Sequence, residues 1–380
     1  MPWESKTVEE LRKEFIIASK TTSNFSSLCR EFGITRKTGY KWIARAEETN
    51  DLSDRSHTRK NISNKTDKET ENLILSVRKD NPAWGGKTIR QVLVNQGHED
   101  LPCVKTCNNI LKRNGCISEE ESLKHKPFVR FERDKCNQMW QTDFKGDFAL
   151  LDGTRCFPLD ILDDHSRFSI KIAAKPNTLG VADSFREAFY EYGMPDSVLS
   201  DNGWTFRGFR NGYTHFEKWL MNHDILPIHG RIMHPQTQGK IERFHRTMKT
   251  ELLNQNKFKD ILDADRGLQE WRMKYNNIRP HEALNMKCPA EVYIPSDRTY
   301  IDNIKKFEYG GQHHVIKVNS WGYVRFNGWQ VYLSETMINE NIEFRPNPHG
   351  DSFFACYRNF KIAEFSNVTG ELLNRKISRI

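Results

Sequence analysis

The hydrophobic period changes once along this chain, near Met139, and that change limits what it can fold into. Before it, apolar residues recur three and four apart, the spacing of amphipathic helices. After it, they gather in short runs bounded by Gly, Asn, Asp and Pro, the pattern of strands. A chain of 380 residues with such a switch reads as several small domains, helical first and strand-containing later.

In the helical part, Val8, Leu11, Phe15, Ile16 and Ala18 predict a helix over 8–19. A second helix fits Phe25 to Phe32 and stops at Gly33. Thr35 can cap a third, Arg36 to Glu47, with Trp42 and Ile43 inward and Arg36, Lys37, Tyr40 and Lys41 outward. Helix, short Gly-containing turn and basic helix is the helix-turn-helix layout, so residues 1–50 are expected to be such a domain and those four residues to touch DNA. A plain three-helix bundle with a solvated basic face would give the same pattern. Residues 51–66 are polar and turn-rich and read as a linker. Residues 67–118 repeat the plan with helices at Glu69–Lys79, Thr88–Gln96 and Val104–Arg113, and Lys105 and Lys112 become further DNA-contact candidates. Charged residues 119–135 read as a second linker.

Charge supports a polyanionic partner. Residues 1–135 carry 26 basic and 20 acidic side chains, a net +6, against +2 for the rest; His229 to Pro280 carries 11 and 6, a net +5. Two basic zones in a near-neutral background fit a nucleic-acid footprint, although solvated helix faces produce similar sums. Eight scattered cysteines without a C-x-x-C pair fit free thiols in a reducing cytosol. His98, Cys103, Cys107 and Cys116 do not have the spacing of a zinc site. No apolar run reaches the roughly 18–20 residues of a membrane span, and the N-terminus does not look like a signal peptide.

From residue 136 to 295 the elements alternate: strands at 138–144, 156–162, 168–174, 197–200 and 226–230, and helices at 182–192, 216–223 and from Lys240 onward. This predicts an α/β domain with a mixed sheet. Residues 300–380 hold about five short strands, including Tyr323–Phe326 and Trp329–Tyr332 around Asn327-Gly328, a two-residue hairpin signal. They are expected to form a separate small β-barrel bearing Arg325, Arg345 and Arg358.

Asp143 and Asp201 each end a predicted strand, and Glu242 lies near the start of the long helix. There Ile241, Phe244, Met248 and Leu252 form the apolar stripe, leaving Glu242, Arg246 and Lys249 on a neighbouring face. Three carboxylates on separate elements can hold divalent metal through oxygen ligands. Taken alone, they can equally be surface acids at strand ends. Asp163, Asp164, His165 and Ser166 share one tight turn and cannot converge as a hydrolytic relay; their acids are expected to face solvent.

The wider strings are more specific. Trp140-Gln141-Thr142-Asp143, Leu162-Asp163-Asp164-His165-Ser166-Arg167, Leu199-Ser200-Asp201-Asn202-Gly203 and the run His234 to Arg246 occur in this order and closely resemble the integrase core of bacterial insertion-sequence transposases. The stretch Leu28 to Trp42 resembles the helix-turn-helix of the same group. The resemblance implies a ribonuclease-H-like core, a triad of Asp143, Asp201 and Glu242, and two Mg²⁺ ions for which Mn²⁺ substitutes. It implies further DNA contacts from Gln238, Lys240, Arg246 and Lys249, and an SH3-like fold for the tail. The expected activity is metal-dependent cutting at the ends of a mobile element and transfer of the freed 3′-OH into target DNA. The expected partners are terminal inverted repeats and target DNA, bound by a dimer or larger homo-oligomer. A regulator derived from a transposase, with a silent core, and a plain nuclease are the alternatives. The 40 residues between Asp201 and Glu242 exceed the usual spacing of the wider group, and the extra length is expected in Trp204 to Thr214.

Overall fold

A computed structural model describes residues 7–49, 51–54, 66–117, 133–208, 212–230, 239–311, 313–348 and 350–380. The chain divides into two units, residues 1–65 and 66–380.

In the first unit, α1 (Val8–Ser19), α2 (Phe25–Glu31) and α3 (Arg36–Thr49) pack around Phe15, Leu28 and Cys29. Thr7 and Glu10 form a reciprocal capping box that starts α1. A Cβ on Gly39 would come within 2.9 Å of the Phe15 and Phe25 rings, so glycine is what lets α3 close onto α1 and α2. Arg36, Lys37, Tyr40 and Lys41 are all exposed on α3, as the spacing predicts. Trp42 turns inward beneath the Arg12 guanidinium, 3.9 Å away.

The second unit opens with α4 (Lys68–Asp80), α5 (Gly86–Asn95) and α6 (Val104–Arg113), wrapped around Ile74, Trp84, Ile89, Leu93 and Ile110. Lys105 and Lys112 are exposed, whereas Arg113 pairs with Glu71. Cys107 is a buried thiol of this core, and all eight cysteines are free.

The α/β domain is built on β1 (Trp140–Phe144), β2 (Phe148–Ala149), β3 (Arg155–Cys156), β4 (Leu159–Asp163), β5 (Ser169–Ala173), β6 (Ser197–Ser200) and β7 (Leu226–His229). Five of them form one mixed sheet in the order β5-β4-β1-β6-β7; β4 is antiparallel to β1 and to β5, and β6 is parallel to β1 and to β7. β2 and β3 form a small separate hairpin. Helices α7 (Val181–Tyr192) and α8 (His215–Asn222) pack with Trp140, Ile161 and Val198. Helices α9 (Gly239–Met248) and α10 (Ile261–Asn277) pack with Leu162 and Ile172 in a second cluster. The stripe on α9 is as expected: Ile241, Phe244, Met248 and Leu252 are buried.

Among the described residues the tail holds eight strands, not about five: β8 (His314–Lys317), β9 (Tyr323–Phe326), β10 (Trp329–Tyr332), β11 (Asn341–Pro346), β12 (Ser352–Tyr357), β13 (Phe360–Ser366), β14 (Leu372–Asn374) and β15 (Ser378–Arg379). Asn327 and Gly328 make the expected turn with φ of 48° and 81°. Among the described residues the strands form a two-stranded and a six-stranded sheet over one core, with no ladder closing them into a ring.

Nor is the tail separate. Tyr213 and Met221 of the α/β domain are members of the tail's own hydrophobic core. The Tyr213 hydroxyl donates to the Ile362 carbonyl at 2.5 Å, and its backbone N–H donates to the Ser334 hydroxyl at 3.0 Å. Arg358 donates to the carbonyls of Asn222 and Lys305, and Arg345 pairs with Glu343. The two domains therefore share a core through Tyr213, just before α8, and Met221 within that helix. Tyr213→Ala is expected to cost about 3–5 kcal/mol, as other large core truncations do. Urea unfolding should show one transition at lower denaturant for the whole unit; an unaltered midpoint would mean that the tail stands alone.

Candidate functional site

Strand alternation sets up the site. Gln141 and Asp143 face the same side of the sheet as α9, where the Gln141 side-chain oxygen accepts from the Ile241 N–H at 3.2 Å. The parallel register pairs Trp140 with Val198 and Gln141 with Leu199; continued by two residues, it sets Asp143 beside Asp201. Adjacent strands lie about 4.8 Å apart, so the two carboxylates leave the sheet abreast.

Asp201 is fixed by its neighbours. Its Oδ1 accepts from the Gly203 N–H at 2.9 Å, and a Cβ at Gly203 would stand as close to that oxygen. Behind it, His229 Nδ1 lies 3.2 Å from the Ser200 hydroxyl and 3.4 Å from the Asp201 carbonyl, while Nε2 lies 2.8 Å from Glu217 Oε1. The other oxygen of Glu217 accepts from the Thr214 N–H at the start of α8.

Asp143 is in a different electrostatic state. Burial pushes its carboxyl up to about 6; His245 opposes that shift, and the charges of Asp201 and Asp160 add to it. His245 Nδ1 stands 3.9 Å from Asp143, and its Nε2 approaches Asp160 at 2.8 Å. The approach to Asp160 is poorly directed: neither Asp160 oxygen nor that nitrogen completes a hydrogen bond. Burial also pushes Asp160 up, with His245 opposing. Asp143 and the donor-poor Asp160 supply the kind of oxygen ligand that a hard divalent cation takes.

Glu242 stands on the exposed side of α9, one turn before His245. Arg246 and Lys249 are exposed on the same helix and the turn that follows it. The structure thus brings Asp143 and Asp201 together and places Glu242 on the adjoining helix. Among the described residues no three His, Cys, Asp or Glu side chains are gathered closely enough to hold an ion. Gln238 and His234 lie outside the described residues.

Two expectations change. Asp163 and Asp164 do not face solvent: both are fully buried. Asp163 accepts from the Asn137 and Ser166 N–H groups, and Asp164 from Gln141, the Arg133 N–H and the Lys240 ammonium. Asp164 ties the turn to the start of α9 through Lys240, and Asp163 closes the turn on Ser166 and on Asn137. Lys240 is consequently engaged by Asp164, with only 13% of its side chain exposed, and leaves the set of DNA-contact candidates. Alternation along β4 puts Asp160 on the face of Leu162, and the antiparallel register with β1 sets it opposite Asp143.

Residues 133–235 and 223–289 match two families, each described as an integrase core domain. The chain is 31% identical over 157 residues to an insertion element IS476 uncharacterized protein of Xanthomonas euvesicatoria, covering 41% of this chain and 44% of that one. It is 29% identical over 157 residues to an insertion element IS407 uncharacterized protein of Burkholderia multivorans, covering 41% and 54%. The chain thus spans about half the length of the curated relatives it matches. The catalytic core domain of HTLV-2 integrase, solved in complex with magnesium, aligns at 17% identity and a TM-score of 0.33, covering 42% of this chain and 97% of that one. No helix among the described residues is long and apolar enough to cross a membrane.

The raised Asp143 carboxyl has a measurable consequence. Its folded value, about 6, exceeds the unfolded value near 3.8, so the fold favours the protonated form. The stability this group contributes is complete below about pH 4 and is lost as pH rises through about 6. Without divalent cations, Asp143→Asn should therefore be more stable than the parent at pH 7.5 by about 1–3 kcal/mol, with the difference vanishing near pH 4. Denaturant titrations at the two pH values check this; a less stable variant at pH 7.5 would contradict it.

Proposed function

We infer that this chain, which carries an integrase core domain akin to those of bacterial insertion-element proteins, is a DNA transposase. It binds the ends of its mobile element, cuts phosphodiester bonds there and joins the freed 3′-OH to target DNA. The observation that carries this reading is the placement of Asp143 and Asp201 abreast at the ends of two parallel strands, with Glu242 on the helix packed beside them. Asp143, Asp201 and Glu242 would hold Mg²⁺, or Mn²⁺ in its place. Held there, divalent metal would supply activation of the attacking oxygen and charge stabilisation of the leaving one at phosphorus.

The chain's own residues position the substrate. Arg246 and Lys249, exposed along the Glu242 helix and its continuation, offer cations to the phosphates on either side of the cut. Arg36, Lys37, Tyr40 and Lys41 on α3 form the reading face of a helix-turn-helix, and Lys105 and Lys112 on α6 supply a second DNA contact. Two element ends have to be held together for joining, which calls for a dimer or larger assembly. The ligand residues gain by being rigid: the pairing of β1 with β6 fixes the interval between two of them before substrate arrives.

Asp143→Asn, Asp201→Asn and Glu242→Gln should each abolish cutting and joining of labelled end DNA while leaving end binding intact. Glu270→Gln, on the exposed face of α10, should leave both reactions unaffected. Cutting without joining by the parent would identify a nuclease, and binding with neither reaction would identify a silent-core regulator. Arg36→Ala and Lys41→Ala should each reduce the slope of log affinity against log salt by about 1.

A further inference from the structure

Helix α9 does not end cleanly at Met248. It continues as a π-helical turn, Lys249–Leu253, whose Glu251 side chain is only 8% exposed. Isolated π turns are rare and concentrate at functional positions because they re-aim the side chains that follow. Here Glu251 is aimed at three donors. Its Oε1 accepts from the Trp84 indole N–H at 3.1 Å and from Arg279 at 2.8 Å, and its Oε2 accepts from the Trp271 indole N–H at 3.2 Å.

Trp84 belongs to the helical domain of residues 66–117. Its ring is part of that domain's core, 2% exposed, and Arg78 braces its loop by donating to the carbonyls of Trp84 and Cys116. The Lys274 ammonium of α10 lies 5.2 Å from the centre of the same ring, and Lys87 pairs with Glu282 at 2.7 Å beside it. A single side chain therefore belongs to the helical domain by its ring and to the helix of Glu242 by its N–H. Glu251 follows Glu242 by nine residues, about 13 Å along continuous helix.

We propose that Glu251 and Trp84 are positioning residues that lock residues 66–117 to the Glu242 helix as one rigid block, and that this block sets which phosphate of the element end is cut. The proposal rests on the transposase reading above: DNA gripped by Lys105 and Lys112 on α6 is held at a fixed distance from the carboxylates. A helical domain on a loose tether would allow neighbouring phosphates to reach the site; a domain joined through a buried, fully bonded carboxylate allows one.

The test is Trp84→Phe in the full chain, which keeps an aromatic side chain in the core while removing the donor along with the pyrrole half of the indole. Cut positions are mapped to the nucleotide on labelled end DNA, and backbone amide exchange is followed in the same proteins without DNA. The variant should bind end DNA within about twofold of the parent, cut at the native phosphate about tenfold more slowly, and spread its cuts over adjacent phosphates. Amide exchange should accelerate at residues 84–96 and also along 242–253. Glu251→Gln should do the same more severely, since it leaves Arg279 without its charge partner. Cuts confined to the native phosphate at the parental rate would overturn the proposal, even in a variant with lower thermal stability. So would unaltered exchange along 242–253, a readout that needs no cutting. Failure of the parent itself to cut would instead count against the transposase reading.

Discussion

The parallel ladder between β1 and β6 is the contact on which the rest of the α/β domain depends. Antiparallel pairing at the sheet centre would send the ends of the two strands, and with them Asp143 and Asp201, to opposite edges. Parallel pairing brings both ends to one edge, where open α/β sheets present their sites. It also requires a long crossover, which β4, β5 and α7 supply between the two strands. Trp140, fully buried, sits at the start of that ladder under Phe189 of the crossover helix, so the core and the site are anchored on the same five residues of β1.

The buried acids divide by how they are satisfied. Asp163 and Asp164 receive several well-made hydrogen bonds each, and Glu251 receives three. These are structural knots: removing a partner leaves a charge stranded in low dielectric. Asp143 and Asp160 are placed differently: burial and the charges of Asp201 and Asp160 raise Asp143, and neither oxygen of the buried Asp160 completes a hydrogen bond. Carboxylates left under strain of this kind mark places where the fold has been arranged for something besides its own stability.

Much of the architecture was legible in the sequence because it is written in local periods. The six front helices, the β6 strand and the Asn327-Gly328 hairpin follow from spacing and turn chemistry that a short window contains. The buried stripe of α9 was legible for the same reason. What escaped was non-local. The turn at Asp163-Asp164 looks like any exposed polar turn until Arg133, Gln141 and Lys240 arrive from elsewhere in the chain to cover it. The bonding of Glu251 depends on a tryptophan 167 positions earlier. The candidate site was partly legible: strand ends single out Asp143 and Asp201 as candidates, while the pairing partner Asp160 and the His229–Glu217 brace appear only once the strands are laid side by side.

Tyr213 bears on how such a protein can diversify. A tail that merely hung from the core could be exchanged between lineages by recombination at residue 300. Here Tyr213 and Met221 fill the tail's interior, and Asn222, Lys218 and Asp224 bond to its strands and turns. An exchanged tail would meet a foreign plug. The segment after Asp201 and the tail, more than 80 residues apart in the chain, must therefore be inherited together, and the two behave as a single heritable part.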